Sequence, residues 1–504
     1  MSLSGSRARF GAAVALLVAA GLLGGFALTP APPVRAAADV AVSLAGAPLP
    51  ATNDTPEAAA QGLARRYLRG SVTLVAGDVR VTRTRAQLGA VVDTEHLATL
   101  IAEARDPRSA LRRVHEQTHG VVPLAVPMPA TLTPERALPA LISLKSRVDR
   151  APEDARVDVR AGTVRPERAG QRLDVYGGFD ALAEALRDGR AEVALPIELR
   201  APHRRAEELA GHDFSQVIGE FETRYNPGEK TRDRTYNLRV GAGKIDGYVL
   251  LPGETLDFNE VVGERSEANG FRIATVIADG ELGEGVGGGT CQVAGTLHAA
   301  AYFAGLPIVE RGPHSRPSFY IKMGMDAMVS YPDKNLRFTN DLPFPVALGM
   351  TVRDGIVHAE VRGHARSRMV TFVRRIDRVD RFEERDEPDP SLPTGVRVLK
   401  QRGIPGFRVS RWRVVRDVTR NQARRQRSED TYPATAQIWR VGTGGAARPG
   451  FVQPPDDDHP EYTADAYLIA TQGPGITGTQ ESKRAGRTGT PGWTVREGFA
   501  RAVP

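Results

Sequence analysis

The chain has 504 residues, 67 basic and 60 acidic, a formal net charge of +7 and a single cysteine. A surplus that small, with no basic stripe interleaved with aromatics, gives nucleic-acid binding no support. One cysteine cannot close an intramolecular disulfide, so the domains must be held by apolar cores rather than covalent staples.

Residues 1–38 have the layout of an export segment. Arg7 and Arg9 make a positive start, residues 10–28 (FGAAVALLVAAGLLGGFAL) are uncharged and apolar, and Ala36, Ala37 and Ala38 offer a small-residue cleavage site. The apolar run is long for a signal core and just long enough to span a bilayer, so cleavage and retention as a membrane anchor both stay open. Beyond it remain 64 basic and 60 acidic residues, a net charge of +4 that suits an anionic cell wall. That remainder is enough for two to four domains.

Residues 39–70 read as a leader with one short helical piece, EAAAQGLARRYLRG. Residues 71–205 alternate strand and helix patterns. SVTLVAG and VRVTRT are strand-like and TEHLATLIAEA has apolar residues at helical spacing. ARVDVRAGTVRPE reads as a hairpin, FDALAEALRDG as a helix stopped by glycine, and AEVALPIELR as a strand. The order of VTRTRAQLGAVVDTEHL, RVDVRAGTVRPERAGQRLDV and ALRDGRAEVALPIELRAP resembles the peptidoglycan-binding domain of bacterial wall proteins.

Residues 206–355 form the centre and hold the thiol. Residues 285–302 read GVGGGTCQVAGTLHAAAY. The spacing predicts a helix over 291–304, with Val293, Leu297, Ala300, Ala301 and Ala304 on one apolar face, Thr290 as N-cap and Gly305 as the stop. Cys291 then sits in the first turn, where free N–H groups and the helix dipole favour a thiolate. Gly287, Gly288 and Gly289 permit positive φ and a close approach of substrate to backbone. The N–H groups of Gly288, Gly289 and Gln292 are candidates for an oxyanion hole. No Lys-Ser/Thr follows at the spacing of a nucleotide loop. The plain alternatives are a small buried hydrophobe for Cys291 and a tight turn for the glycines. An idle thiol in an oxidising compartment is a liability, which favours a working one.

A thiol nucleophile needs a base. His314 lies in the turn ERGPHSRP, and Asp326, in GMDAMVS, is a candidate to orient its imidazole. His298 is two helical turns beyond the thiol, about 10 Å along the axis and too far for direct proton transfer. Arg311 and Arg316 are candidates to bind a substrate carboxylate. His314 and Asp326 as ordinary turn residues remain the bland readings. A zinc site from Cys291, His314 and Asp326 lacks a close-spaced pair to anchor it. Tyr225, Asn237 and Asn259 are candidates to line the same cleft, with no role that sequence assigns.

Residues 360–445 are β-rich, with MVTFVRRIDRV and GFRVSRWRVVRDV as strands, and RNQARRQRSED (residues 420–430) reads as a solvated loop. QRGIPGFRVSRWRVV followed by DTYPATAQIWRVGTG resembles the five-glycine wall-associated module, with fewer glycines than that family carries. Residues 446–504 are rich in Pro, Gly, Asp and Thr, a composition that reads as a mostly disordered tail. The fold class expected is α+β and multidomain.

From about residue 234 to 348, DGYVLLPGETLDFNEVVG, GGGTCQ, ERGPHSRP, GMDAMVSY and LRFTND resemble the VanW family. Some wall members of that family look like cysteine transpeptidases that make L,D-type peptidoglycan cross-links. The resemblance therefore implies a cysteine acyl-transferase acting on peptidoglycan stem peptides. Cys291 would attack the donor carbonyl and expel D-alanine, with His314 moving protons and Asp326 orienting it. No metal or organic cofactor is required by that chemistry. The family carries a serine and a threonine where this chain has Ala294 and Gly295, so those hydroxyls are missing. The alternative is a non-enzymatic wall-binding or scaffold protein of the VanW type linked to glycopeptide resistance, its glycine turn and helix tip gripping a carboxylate.

Overall fold

The computed structural model describes residues 42–44, 47–49, 53–119, 123–278, 281–484, 493–496 and 499–502. The expected export segment lies outside them. Among the described residues no helix is long and apolar enough to cross a membrane. The protein is multidomain and mixed α+β. It divides into two units, one of residues up to 149 with 172–198, the other of residues 150–171 with 199 onward.

In the first unit Thr55 caps the helix Pro56–Arg69 by accepting from the Ala58 N–H. That helix buries Leu63 and Tyr67 together with Leu97 and Ile101, so the expected leader contributes to a core. The strand Ser71–Ala76 alternates, burying Val72, Leu74 and Ala76. It pairs antiparallel with Val79–Thr84 and parallel with Glu192–Ala194. Helices Pro134–Val148 and Val175–Asp188 seal its buried face with Leu141, Leu144, Leu182 and Leu186.

The hairpin read in ARVDVRAGTVRPE forms, Arg156–Asp158 against Thr163–Arg165. It belongs to the second unit, because Val157 and Val159 bury themselves with Val249 and Ala347. That unit is built on a four-stranded antiparallel sheet in the order Gln216–Arg224, Ile356–Gly363, Val346–Arg353, Tyr248–Leu250. The central hairpin turns at Asp354 and Gly355, both at positive φ, as a tight Asp-Gly turn demands.

The helix predicted over 291–304 is found at Thr290–Phe303, and its N-cap is Gly289 (φ 109°) rather than Thr290. Thr290 instead turns its hydroxyl to the Gly287 carbonyl. The expected single apolar face is also corrected: every residue of this helix is buried except Cys291. A helix buried all round needs cover on all sides, and two sheets supply it. Val293, Leu297, Ala300 and Ala301 pack into the core of the four-stranded sheet with Val357, Ala359 and Val361. Ala299, Tyr302 and Phe303 pack with Val370, Phe372, Leu468 and Ala470.

These last four side chains come from a five-stranded sheet ordered Gln422–Tyr432, Gly406–Asp417, Arg368–Asp380, Tyr467–Gln472, Gln480–Arg484. The expected tail without structure is thus corrected between 464 and 484. YLIATQ alternates, buries Leu468, Ala470 and Gln472, and pairs with Arg368–Asp380. The expected solvated loop at 420–430 is corrected too, since Gln422–Tyr432 is a strand whose last residues, Asp430 and Tyr432, are buried.

Close approach of the helix to the first sheet depends on Gly219, which follows an irregularity in the strand. A Cβ at Gly219 would stand 2.3 Å from the Ala304 nitrogen and 2.5 Å from the Ala300 carbonyl oxygen, both backbone atoms that cannot swing away. Gly219→Ala should cost about 1–3 kcal/mol, as overpacking does, and Gly219→Val more. Thermal melts of the full chain check this, and an unchanged midpoint for both variants would refute the packing argument.

Candidate active site

The turn before the thiol is shaped by glycine. Gly287 (φ 85°) and Gly289 (φ 109°) hold conformations that other residues avoid, and a Cβ at Gly288 would stand 2.4 Å from the Thr275 carbonyl oxygen. Buried Asn237 braces the turn. Its Nδ2 donates to the carbonyls of Arg272 (2.8 Å) and Gly288 (3.1 Å), and its Oδ1 accepts from the Arg272 N–H (2.8 Å). Gln292 is fixed from three sides: Nε2 donates to Thr223 Oγ1 and the Arg224 carbonyl, both at 3.0 Å, and Oε1 accepts from Arg234 at 2.8 Å. Cys291 is left as the partly open residue of the helix.

Three segments converge on the sulfur. Cys291 Sγ lies 3.5 Å from the Val329 nitrogen and 3.4 Å from the Val329 oxygen. It is within hydrogen-bonding reach of the His314 imidazole. His314 Nδ1 stands 2.8 Å from Asp326 Oδ2, which also accepts the His314 backbone N–H at 2.9 Å. Nδ1 being spent, Nε2 is the nitrogen left to serve the sulfur, and the Tyr320 hydroxyl is 3.3 Å from it. The sequence candidates Cys291, His314 and Asp326 are therefore brought together as a relay of thiol, imidazole and carboxylate, the arrangement that nucleophilic catalysis uses.

Asp326 is nearly inaccessible, and its other oxygen is satisfied as fully. Oδ1 accepts from Arg311 NH2 and from the Tyr432 hydroxyl, each at 2.6 Å. Arg311 NH1 in turn pairs with Asp430 at 2.6 Å, and Arg411 approaches the same carboxylate at 3.1 Å. Arg311 is 2 % exposed at its side chain. Its expected role as a substrate-carboxylate ligand is corrected: its guanidinium is already committed to two buried aspartates. Arg316, the other candidate, is buried at 4 % exposure, with Asp457 as the charge acting on it. The Gln292 N–H also departs from expectation, since it donates to the Gly289 carbonyl at 2.8 Å and is not free for an oxyanion. The N–H groups of Gly288 and Gly289 make no backbone hydrogen bond among the described residues.

His298 is buried and strut-like, its Nδ1 2.7 Å from the Met325 carbonyl on the segment that carries Asp326. Burial holds it well below its usual value and so neutral. Gly295 lies under the same segment, where a Cβ would meet the Ala327 nitrogen at 3.4 Å, and Thr296 supplies a hydroxyl to Thr223 at 2.8 Å. Asn259 holds the Lys334 carbonyl at 3.0 Å, and Tyr225 packs in the core. Sequence reasoning missed Tyr432, Asp430, Tyr320 and Val329; nothing local marks them, because each is distant in the chain from the thiol. The metal-ligand grouping present among the described residues is Asp457, Asp458 and His459, which includes no member of the relay. Two hollows of about 440 Å³ lie along the helix Arg232–Ile245, lined by Arg232, Tyr236 and Arg239 in one and by Tyr236, Glu267 and Phe271 in the other. Neither is lined by Cys291, so chemistry rather than volume marks the candidate site.

The charges reinforce the geometry. Burial pushes the Cys291 thiol up, but the His314 imidazole, the Val329 N–H and the Arg265 charge outweigh it and hold the thiol below its ordinary value. Burial alone would lower His314, yet Asp326 and Cys291 together push it up to about 10. Burial works against the Asp326 charge too, and Arg311, His314 and Tyr432 overcome it, holding the carboxyl far below its usual range. His314 is thus protonated at neutral pH, and Cys291 is biased toward the thiolate. Because His314 is raised, its proton stabilises the fold fully below the ordinary 6.5, and that contribution is lost as pH rises through about 10. Cys291 is lowered, so its ionised form stabilises the fold above the ordinary 9.0, and that contribution is lost as pH falls through the depressed value. Thiolate absorbance should therefore appear at lower pH in the native protein than in the unfolded chain. In His314→Ala, burial loses its main opponent and the thiol should titrate above its ordinary value. Identical titrations for native and unfolded wild-type protein would rule out the ion pair.

The VanW like protein family matches residues 233–362, and the G5 domain family matches residues 374–444. The uncharacterized protein YoaR of Bacillus subtilis is 32 % identical over 257 residues, covering 49 % of this chain and 83 % of the relative. The vancomycin B-type resistance protein VanW of Enterococcus faecalis is 26 % identical over 168 residues, covering 29 % of this chain and 61 % of that protein. Among solved structures, the G5 domain of IgA1 protease aligns over 16 % of this chain and 99 % of its own at 21 % identity, with a TM-score of 0.11. A VanW-like segment followed by a G5 domain fits a cell-wall-associated protein. On the match to YoaR and the VanW-like segment that carries the thiol, the chain belongs to the VanW-like protein family.

Proposed function

We propose that this protein is an exported cell-wall enzyme, a cysteine acyl-transferase that acts on peptidoglycan stem peptides in the manner of an L,D-transpeptidase. The observation that carries the reading is the partly open Cys291 at the tip of an otherwise buried helix, joined to His314 and Asp326. The Cys291 thiolate attacks the carbonyl carbon of the donor peptide bond, and the N–H groups of Gly288 and Gly289 face the oxyanion that forms. The bond to the departing D-alanine breaks, its amine takes the proton held by His314, and a thioester remains. An acceptor amine then attacks the thioester. Its proton returns to His314, the new amide leaves, and Cys291 is restored as the thiolate. Asp326 keeps the imidazole in the tautomer this shuttle needs.

In this reading the N-terminal α+β unit and the G5 domain hold the protein on the glycan, and the apolar residues 10–28 direct export, cleaved or kept as an anchor. A second reading is favoured by the make-up of the chain, since both matched families fit wall association without requiring chemistry. It is a non-enzymatic wall-binding or scaffold protein, linked to glycopeptide resistance like the relative named for it.

The two readings separate on one variant. Incubation with a tetrapeptide stem should add the acyl donor's mass to the wild-type protein and release D-alanine. Cys291→Ser should show neither, while folding and still binding purified wall sacculi. No adduct on the wild-type protein, with the same cross-link profile in cells overexpressing either form, would overturn the enzyme reading in favour of the scaffold.

A further inference from the structure

The glycine turn that presents the thiol is gripped between two arginines. Arg265 lies against Gly287, where a Cβ would stand 2.6 Å from its own Cβ. Arg234 lies against Gly289, where a Cβ would stand 3.3 Å from its Cγ, and it bonds the side chain of Gln292, the residue after the thiol. Both are half-buried. The buried acids nearby are already matched: Asp326 by His314 and Arg311, Asp430 by Arg311 and Arg411. The two flanking arginines are not. Among the described residues, the ionisable groups acting on Arg265 with opposite sign are Cys291 and Tyr331, and those acting on Arg234 are Tyr320, Cys291 and Tyr225, with no carboxylate among them. Arg265 spends NH1 on the Gly263 carbonyl at 2.8 Å, whereas its NH2 is buried with no hydrogen-bond partner. Phe258 lies 5.4 Å from the guanidinium carbon and limits where the fork can point. Buried donors are nearly always satisfied, and charged ones are the costliest to leave unmatched.

We propose that Arg234 and Arg265 form an anion subsite beside Cys291, which takes a carboxylate of the peptide whose carbonyl the sulfur attacks. The inference rests on reading Cys291 as a nucleophile, and it moves substrate recognition from Arg311 and Arg316, which are buried, to the two arginines at the turn. A guanidinium suits this role because its planar fork matches a carboxylate bidentately. A peptide ending in a free acid would be held with its carbonyl at the sulfur, and an amidated peptide would lose that hold.

A pair of small alkylating agents tests the subsite without requiring a natural substrate. Iodoacetate and iodoacetamide react alike: the sulfur–carbon bond forms and iodide leaves, so a change in thiolate fraction alters both rates equally. They differ in a carboxylate against a carboxamide. With the native full-length protein at neutral pH, the iodoacetate-to-iodoacetamide rate ratio should exceed that of glutathione by about tenfold, the order expected of a charge-assisted contact. Arg265→Met and Arg234→Met should each lower the ratio toward that of glutathione. Arg265→Lys, which keeps the charge, should retain most of it, which separates anion recognition from misfolding. If iodoacetamide labels Cys291 readily but the ratio equals that of glutathione, or both Met variants leave it unchanged, the subsite is wrong and the nucleophile stands. If native Cys291 resists iodoacetamide altogether, both fall together.

Discussion

The second unit is organised around one buried carboxylate. Asp326 collects four donors from two stretches of chain: the backbone and ring of His314 and the guanidinium of Arg311 from one turn, and the hydroxyl of Tyr432 from a distant strand. An isolated carboxylate at that depth would take up a proton rather than stay charged. The donors reverse this, and a carboxylate that stays ionised can hold a proton on His314. The imidazolium then lowers the thiol toward ionisation. Each step uses the charge fixed by the one before, so residues that never touch Cys291 set its state through His314.

Two of those residues lie in the matched G5 region. Tyr432 and Asp430 end the strand Gln422–Tyr432, and Tyr432 also accepts the Gly324 N–H at 2.8 Å. From the neighbouring strand, Arg413 donates to the carbonyls of Tyr302 and Leu306 at the C-terminal end of the cysteine helix. The Tyr302 carbonyl also accepts the Gly305 N–H at 3.1 Å where the helix closes, and a cation there opposes the negative end of its dipole. The same sheet covers Tyr302 and Phe303. Stripped of the sheet, the VanW-like segment would expose that apolar face and lose one of the four donors to Asp326 together with the Asp430 partner of Arg311. The two family matches name separate stretches of sequence, but in the second unit they share one helix and one charge network.

What the sequence made legible was local. The run of glycines before Cys291, the helix after it and the imidazole and carboxylate in two turns could be read from residue types and spacing, because turn chemistry and helix periodicity are short-range properties. The helix start was misread by one residue because a glycine cap leaves Thr290 free to bond backward. The all-round burial of the helix was hidden for a different reason. Ala, Gly and Thr on its second face look neutral in a sequence, and their burial depends on a sheet from residues 368–484. Arg311 was misassigned because an arginine near a candidate site looks the same whether it faces solvent or two buried aspartates. Charge pattern alone also concealed Asp430 and Tyr432 at the end of a strand otherwise exposed.

The contrast among the arginines follows from the same accounting of charge. Arg311 and Arg411 sit where buried aspartates await them, and they serve the fold. Arg234 and Arg265 are held by Gln292, Gly263 and the glycine turn, yet no carboxylate among the described residues acts on them. A fold gains nothing from partly desolvating two cations beside a thiol unless an anion completes them. The thiolate supplies part of that charge at rest. In the proposed reaction acylation removes the sulfur's charge and leaves the arginines facing the peptide. On that proposal, stabilising the nucleophile and holding an anionic substrate are successive uses of one positive field, which would tie the glycine turn, the helix tip and the choice of ligand to a single electrostatic demand.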